Sequence, residues 1–180
     1  MKHARTALFA AVACALTCVH AAAGERIALE GSNASIEVPE GWSVVPATGE
    51  NPFLMLNLCD SNVADGCLVR AELLIAQLTR EQAPPSLDAR LAQWQQDTTQ
   101  KVVAPPTRLK IGERDAIEAV TRGAHSDHIS KQVFFDTILL QEGDRYYTCS
   151  MTMDPPDYIA LKSVLHDFCA SVRFTTAQSG

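Results

Sequence analysis

The chain has 180 residues, of which 47% are hydrophobic and 20% charged, with a formal net charge of −6. Its Lys and Arg residues are scattered among carboxylates and form no basic stripe, which excludes nucleic acid as a partner. The one long apolar stretch, Thr6 to Thr17, is shorter than the ~20 residues of a spanning helix, so no integral membrane span is expected.

That stretch follows a cationic start, Met1-Lys2-His3-Ala4-Arg5, and precedes the small residues Ala21-Ala22-Ala23-Gly24. The layout is that of a bacterial secretory signal peptide, residues 1–23, cut after Ala23 to leave a single domain over residues 24–180. Losing Lys2 and Arg5 but no acid makes the product more acidic than the whole chain. A rival reading lipidates Cys14 or Cys18, although neither has the usual lipobox context, and would tether the same domain by an acyl chain. Both readings place the protein in the periplasm or among secreted proteins.

Ile27 to Glu30 and Ala34 to Val38 alternate apolar and polar residues around Gly31-Ser32-Asn33, which predicts a hairpin. Pro39 and Gly41 end its second strand, and Ser43-Val44-Val45 resumes it. Phe53 to Leu58 and Leu68 to Leu78 read as strands. Leu87, Leu91, Trp94, Thr98 and Val102 recur every three or four residues behind Ser86, predicting a capped amphipathic helix with Trp94 on its core side. Arg108 to Ile111 and Ala116 to Thr121 form a second hairpin. Gln132 to Gln141, apolar on both faces, reads as a central strand paired with Arg145 to Met153. Asp154-Pro155-Pro156-Asp157 caps a last helix with Leu161, Val164, Leu165, Phe168, Cys169 and Val172 on its apolar face.

Four cysteines survive removal of the leader: Cys59, Cys67, Cys149 and Cys169. An even number in an exported chain reads as disulfides. Three pairings are possible; spacing favours Cys59 with Cys67, across a turn-forming loop, and Cys149 with Cys169, strand to helix. The two closures are worth about 2.6 and about 3.3 kcal/mol in the chain-entropy view. Neither C-x-x-C nor paired Cys/His spacing points to zinc or redox chemistry.

His125-Ser126-Asp127-His128 is the densest ionisable cluster and could hold a transition metal, but its Gly123 and Ser130 flanks read as a solvated loop. Asp60, Asn62 and Asp65-Gly66 approach a calcium loop but miss its spacing and its closing Glu. Met55, Met151 and Met153 read as core packing in preference to a copper(I) site. No nucleophile elbow is present, and His166 reads as a surface residue. The expectation is no catalytic residue, no cofactor and no metal.

The order of elements, with Ile36-Glu37-Val38-Pro39-Glu40-Gly41-Trp42 in the opening strand, Ile111-Gly112 and Asp115-Ala116 in a hairpin, and a C-terminal helix ending near Phe174, resembles the PsbP-like fold. That fold is shared by photosystem II extrinsic subunits, a Ran-binding nuclear import factor and bacterial DcrB-like proteins. The resemblance implies an α+β, single-domain α/β/α sandwich with a central, mainly antiparallel sheet. It also implies a module that binds or scaffolds other proteins and brings no catalytic residues. The function expected is an exported protein-binding module without catalysis, its partner another envelope or secreted protein. In the sharper version it is an immunity protein whose acidic surface plugs a basic toxin. The alternatives are an envelope assembly or stress-response factor, and a metal-dependent sensor or enzyme using the His125 to His128 loop.

Overall fold

The computed structural model describes residues 19–20, 24–45, 53–60, 68–124 and 132–175. In chain order the strands are β1 (Val19–His20), β2 (Arg26–Ala28), β3 (Ala34–Glu37), β4 (Ser43–Val45), β5 (Phe53–Asp60) and β6 (Leu68–Gln77). Helix α1 (Leu87–Gln96) follows, then β7 (Lys101–Ile111), β8 (Arg114–Ala124), β9 (Gln132–Glu142) and β10 (Arg145–Met153). A 3-10 turn over Pro155–Asp157 leads into α2 (Tyr158–Ala170) and a short β11 (Arg173–Phe174).

Eight strands form one sheet in the order β1-β4-β5-β6-β10-β9-β8-β7, every described pair antiparallel; β11-β3-β2 form a second, small sheet. The predicted hairpins are present, and two of their turns are built the same way. Gly112 and Gly143 each open a two-residue turn at a φ of 60°, a conformation that costs glycine nothing.

The expected sandwich is present, with unequal outer layers. On one face of the large sheet α2 and the small sheet bury Leu56, Leu73, Ile75, Tyr147, Cys149 and Met151 under Ile36, Leu165 and Phe168. On the other face α1 covers a smaller cluster, Leu87, Ile117, Leu139 and Tyr146, with Leu91 and Trp94 packed against it. No described helix is long and apolar enough to cross a membrane.

Three local expectations need correction. The middle helix stops at Gln96 and does not reach Thr98 or Val102, because Asp97 turns extended (ψ 103°) and its carboxylate accepts from the Thr99 backbone and hydroxyl. The β-branched run that follows becomes strand instead. That strand runs through Pro105-Pro106, tolerable on an edge where the ladder is interrupted: neither proline is paired in register with β8, which slips on either side of Ala104. Before α2 neither Asp154 nor Asp157 makes a side-chain cap bond, and Asp157 pairs with Arg70 of β6 instead.

Cys59 is disulfide-bonded, while Cys67 lies outside the described residues. Cys149 and Cys169 are fully buried and hydrogen-bonded side chain to side chain, their sulfurs adjacent and unlinked in this structure. Burial, and then the neighbouring Cys149, push the Cys169 thiol well above its ordinary pKa, so as a thiol Cys169 is protonated and inert. The strand-to-helix proximity needed for a bridge is in place. Protein secreted through an oxidising compartment is expected to link these two sulfurs, the electrons and protons passing to a disulfide-bearing thiol oxidant. Non-reducing peptide mapping would show a Cys149–Cys169 cross-linked peptide; quantitative alkylation of both after unfolding without reductant would refute it.

Candidate functional site

The His125 to His128 loop, Asn62 and Asp65 lie outside the described residues. Met151 and Met153 are fully buried in the core, as packing predicts, and Met55 is half-buried on β5. Among the described residues no group of three or more His, Cys, Asp or Glu is placed to hold a metal ion. Two other groupings concentrate the chemistry of the chain.

The first lies under α2. Glu118 and Asp136 sit in the otherwise apolar strands β8 and β9, where Val120 pairs with Asp136 and Glu118 with Ile138. Strand alternation aims both carboxylates at the same face, towards the helix. Glu118 Oε1 is 2.7 Å from His166 Nε2, and Oε2 accepts from Lys162 Nζ at 3.5 Å. Lys162 also donates to the Tyr158 hydroxyl at 3.4 Å. His166 is therefore an anchor of α2 to the sheet, not the free surface residue expected, and the spacing of Tyr158, Lys162 and His166 by four places all three on one helical stripe.

Asp136 is completely buried, and by geometry neither of its oxygens has a hydrogen-bond partner among the described residues, although Glu118 lies close enough to interact with it. Burial first, and the charge of Glu118 second, raise its pKa from 3.8 to about 7. Burial and then Asp136 raise that of the Tyr158 hydroxyl. Burial pulls the Lys162 ammonium down, but Glu118, Tyr158 and Asp136 outweigh it, and its pKa is raised. Glu118 is engaged by two basic groups of α2 and anchors the helix to the sheet. Asp136 is the group that exchanges a proton near neutrality, and it does so out of reach of solvent. Sequence reading missed the cluster although it left a signal: Glu118 within Ala-Ile-Glu-Ala-Val and Asp136 within Phe-Phe-Asp-Thr-Ile-Leu-Leu are acids inside apolar strands.

The second grouping is a cavity of about 230 Å³ at the C-terminal end of α1, where Trp94 and Asp97 face Val102 of β7, Thr121 of β8 and Thr137 of β9. A larger open cleft of about 610 Å³ continues from it past Thr121 and Thr137 to Gly123 and Phe135. The Phe135 ring lies over Gly123, where a Cβ would come within 2.9 Å of it, so a side chain at this position would displace the ring. Val102 is 46% and Val103 38% exposed, among the few large apolar side chains left open to solvent. The cavity exists because the helix ends early. Had α1 continued to Val102 as its spacing suggests, the next turn would fill this space.

Comparison with known proteins bears on the scaffold. No family model and no curated protein matches the sequence. Solved structures do match. A crystal structure from Bacteroides thetaiotaomicron superposes with a TM-score of 0.59 at 14% identity, covering 87% of this chain and 50% of that one, so the chain spans half the length of that protein. The solution structure of cyanobacterial PsbP from Synechocystis gives 0.52 at 9% identity, covering 86% and 95%. The fold is PsbP-like. LpqN of Mycobacterium tuberculosis, involved in cell envelope biogenesis, gives 0.50 at 11% identity, covering 89% and 90%. At such identities the likeness is one of fold, and the two groupings above belong to this chain's own residues on a PsbP-like frame.

The buried acid gives a signed pH dependence. A carboxyl whose pKa is raised by folding supports the native state fully below its unfolded value, and that support is lost as pH rises towards the folded one. For Asp136 the window runs from 3.8 to about 7, and the full loss is on the order of 4 kcal/mol. Asp136→Asn, which carries no charge, is expected to match the parent near pH 4 and exceed it in urea-melt stability by pH 8. Parallel stability curves for the two proteins across that range would rule the account out.

Proposed function

We propose that this chain is an exported, non-catalytic protein-binding module of the bacterial envelope. The observation that carries the reading is the Trp94 cavity and the cleft continuing from it. Together they form a concave, half-apolar surface on the less covered face of the sheet, flanked by the exposed Val102 and Val103. Aromatic side chains in partly open pockets are the usual anchoring points of protein interfaces. Support also comes from the leader-like first 23 residues, from the disulfide at Cys59, and from the envelope role stated for LpqN, which shares the fold. The α2 cluster supports a binding role over catalysis in that its basic groups are spent on Glu118 and its one proton-exchanging acid is sealed from solvent.

The narrower reading is an immunity protein, whose partner is a toxin with a basic active-site cleft. It is supported by the net charge of −6, more negative once Lys2 and Arg5 are removed. An envelope assembly role uses the same surface with a resident partner.

A photo-crosslinking residue at Val102 or Thr98, in protein expressed in its native cell type, is expected to yield one discrete adduct that Trp94→Ala abolishes. The same residue at Ile159, which is 89% exposed on α2, should give none. Adducts from Ile159 alone would move the binding face to α2; mass spectrometry of the adduct separates a secreted toxin from an assembly factor.

A further inference from the structure

A helix ends in unpaired carbonyls and a partial negative charge of roughly half an electron. The chain answers that demand at α2, where Arg114 donates from Nη1 to the Val172 carbonyl and from Nη2 to that of Ala170, both at 3.1 Å. At α1 the last turn contains no basic residue, and the helix closes on another anion, Asp97. The Thr99 hydroxyl at 2.6 Å and backbone N–H at 2.9 Å hold that carboxylate below its ordinary pKa, keeping it ionised. Among the described residues Asp97 has no ion-pair partner. Trp94, three residues earlier on the same helical face, lines the same cavity. A negative helix end, a fixed carboxylate and an indole thus converge on one small space, and each of the three attracts a cation.

We infer that the cavity receives an Arg or Lys side chain of the partner protein, its charge set between the Trp94 ring, the Asp97 carboxylate and the carbonyl end of α1. The inference rests on the binding-module reading and specifies the chemistry of its partner. Size favours a single side chain, since about 230 Å³ falls below the ~300–1,000 Å³ of ordinary small-molecule sites. Among the described residues Asp97 is the only charged one lining the cavity. Lys101 and Arg122 border the neighbouring cleft and pair with each other in register, but strand alternation turns both side chains away from the face that holds Val102 and Thr121. Gln100, Thr121 and Thr137 add an amide and two hydroxyls able to accept from a guanidinium.

The test titrates the folded chain with three probes followed by amide and indole NMR: a capped Gly-Arg-Gly peptide, its citrulline isostere, and spermidine. The arginine peptide should shift the Trp94 indole N–H and the Gln100 and Thr121 amides, and the uncharged isostere should bind about tenfold more weakly. Asp97→Asn keeps an acceptor for Thr99 and should also cost about tenfold, whereas Asp144→Asn, which removes the same charge from an exposed turn, should cost nothing. Equal binding by citrulline, equal loss in both variants, or no shift at these residues would overturn the inference. So would tighter binding of spermidine at the same place, which would make the occupant a free polyamine. If the Val102 adduct survives such a result, the binding-module reading stands without its cation; if the adduct is absent, that reading falls whatever the peptides do.

Discussion

The eight strands of the main sheet present two faces, and the chain supplies helices of only ten and thirteen residues to cover them. Almost everything notable about the molecule follows from that mismatch. A sheet face left open is half-apolar and must be covered, polar or occupied. On one face the small β11-β3-β2 sheet extends the cover begun by α2, and a continuous core results. On the other α1 covers only the Ile117, Leu139 and Tyr146 end, and the rest of that face carries Thr121, Phe135, Thr137 and Thr148 at intermediate exposure.

The two groupings sit at the margins of the two covers, and they handle polarity in opposite ways. Under α2 the charges are inward and mutually engaged. An acid placed in a core strand is costly unless it is paired or protonated. Glu118 takes the first course, with Lys162 and His166, and Asp136 the second, with a pKa lifted to about 7. Deletion of both basic partners would leave Glu118 as an uncompensated buried charge, so the cluster constrains where α2 sits as well as stabilising it. At the end of α1 the charge is outward and, among the described residues, has no ion-pair partner.

The elements of repetitive structure were legible in the sequence because their signals are local. Alternation located the hairpins, Ser86 marked the start of α1 and accepts from Ala89 N–H as a cap should, and the double-faced apolar run placed β9 inside the sheet. The end of α1 was not legible, because the spacing of Thr98 and Val102 continues the helical period by coincidence. What decides the boundary is a side-chain bond, from Thr99 to Asp97, that competes with the helix. The sites were less legible for a related reason. Glu118, Asp136 and His166 are far apart in sequence, and His166 beside Asp167 on a helix gives no sign that a strand carboxylate waits beneath it. Only the acids inside apolar runs hinted at it. Trp94 was assigned to the core, which is half of its role: it packs against the Leu87 cluster and walls the cavity too.

The contrast between the two helix ends ties these threads together. Both end on the same backbone physics, yet the end of α2 is met by the Arg114 guanidinium reaching over from β8, while α1 closes on a carboxylate that its neighbour keeps ionised. Stability alone would favour a Lys or Arg in the last turn of α1, a substitution worth a few tenths of a kcal/mol to about 1 kcal/mol on an exposed helix. Placing an acid there instead, beside an indole and above an open sheet face, forgoes that gain and leaves a negative pocket in a fold that could readily have neutralised it. Such local departures from the stabilising rule are expected where a surface is shaped for something outside the chain. The feature that ends the helix early, the Asp97 turn, is also the feature that supplies the charge, so the opening of the cavity and its polarity have a single structural origin.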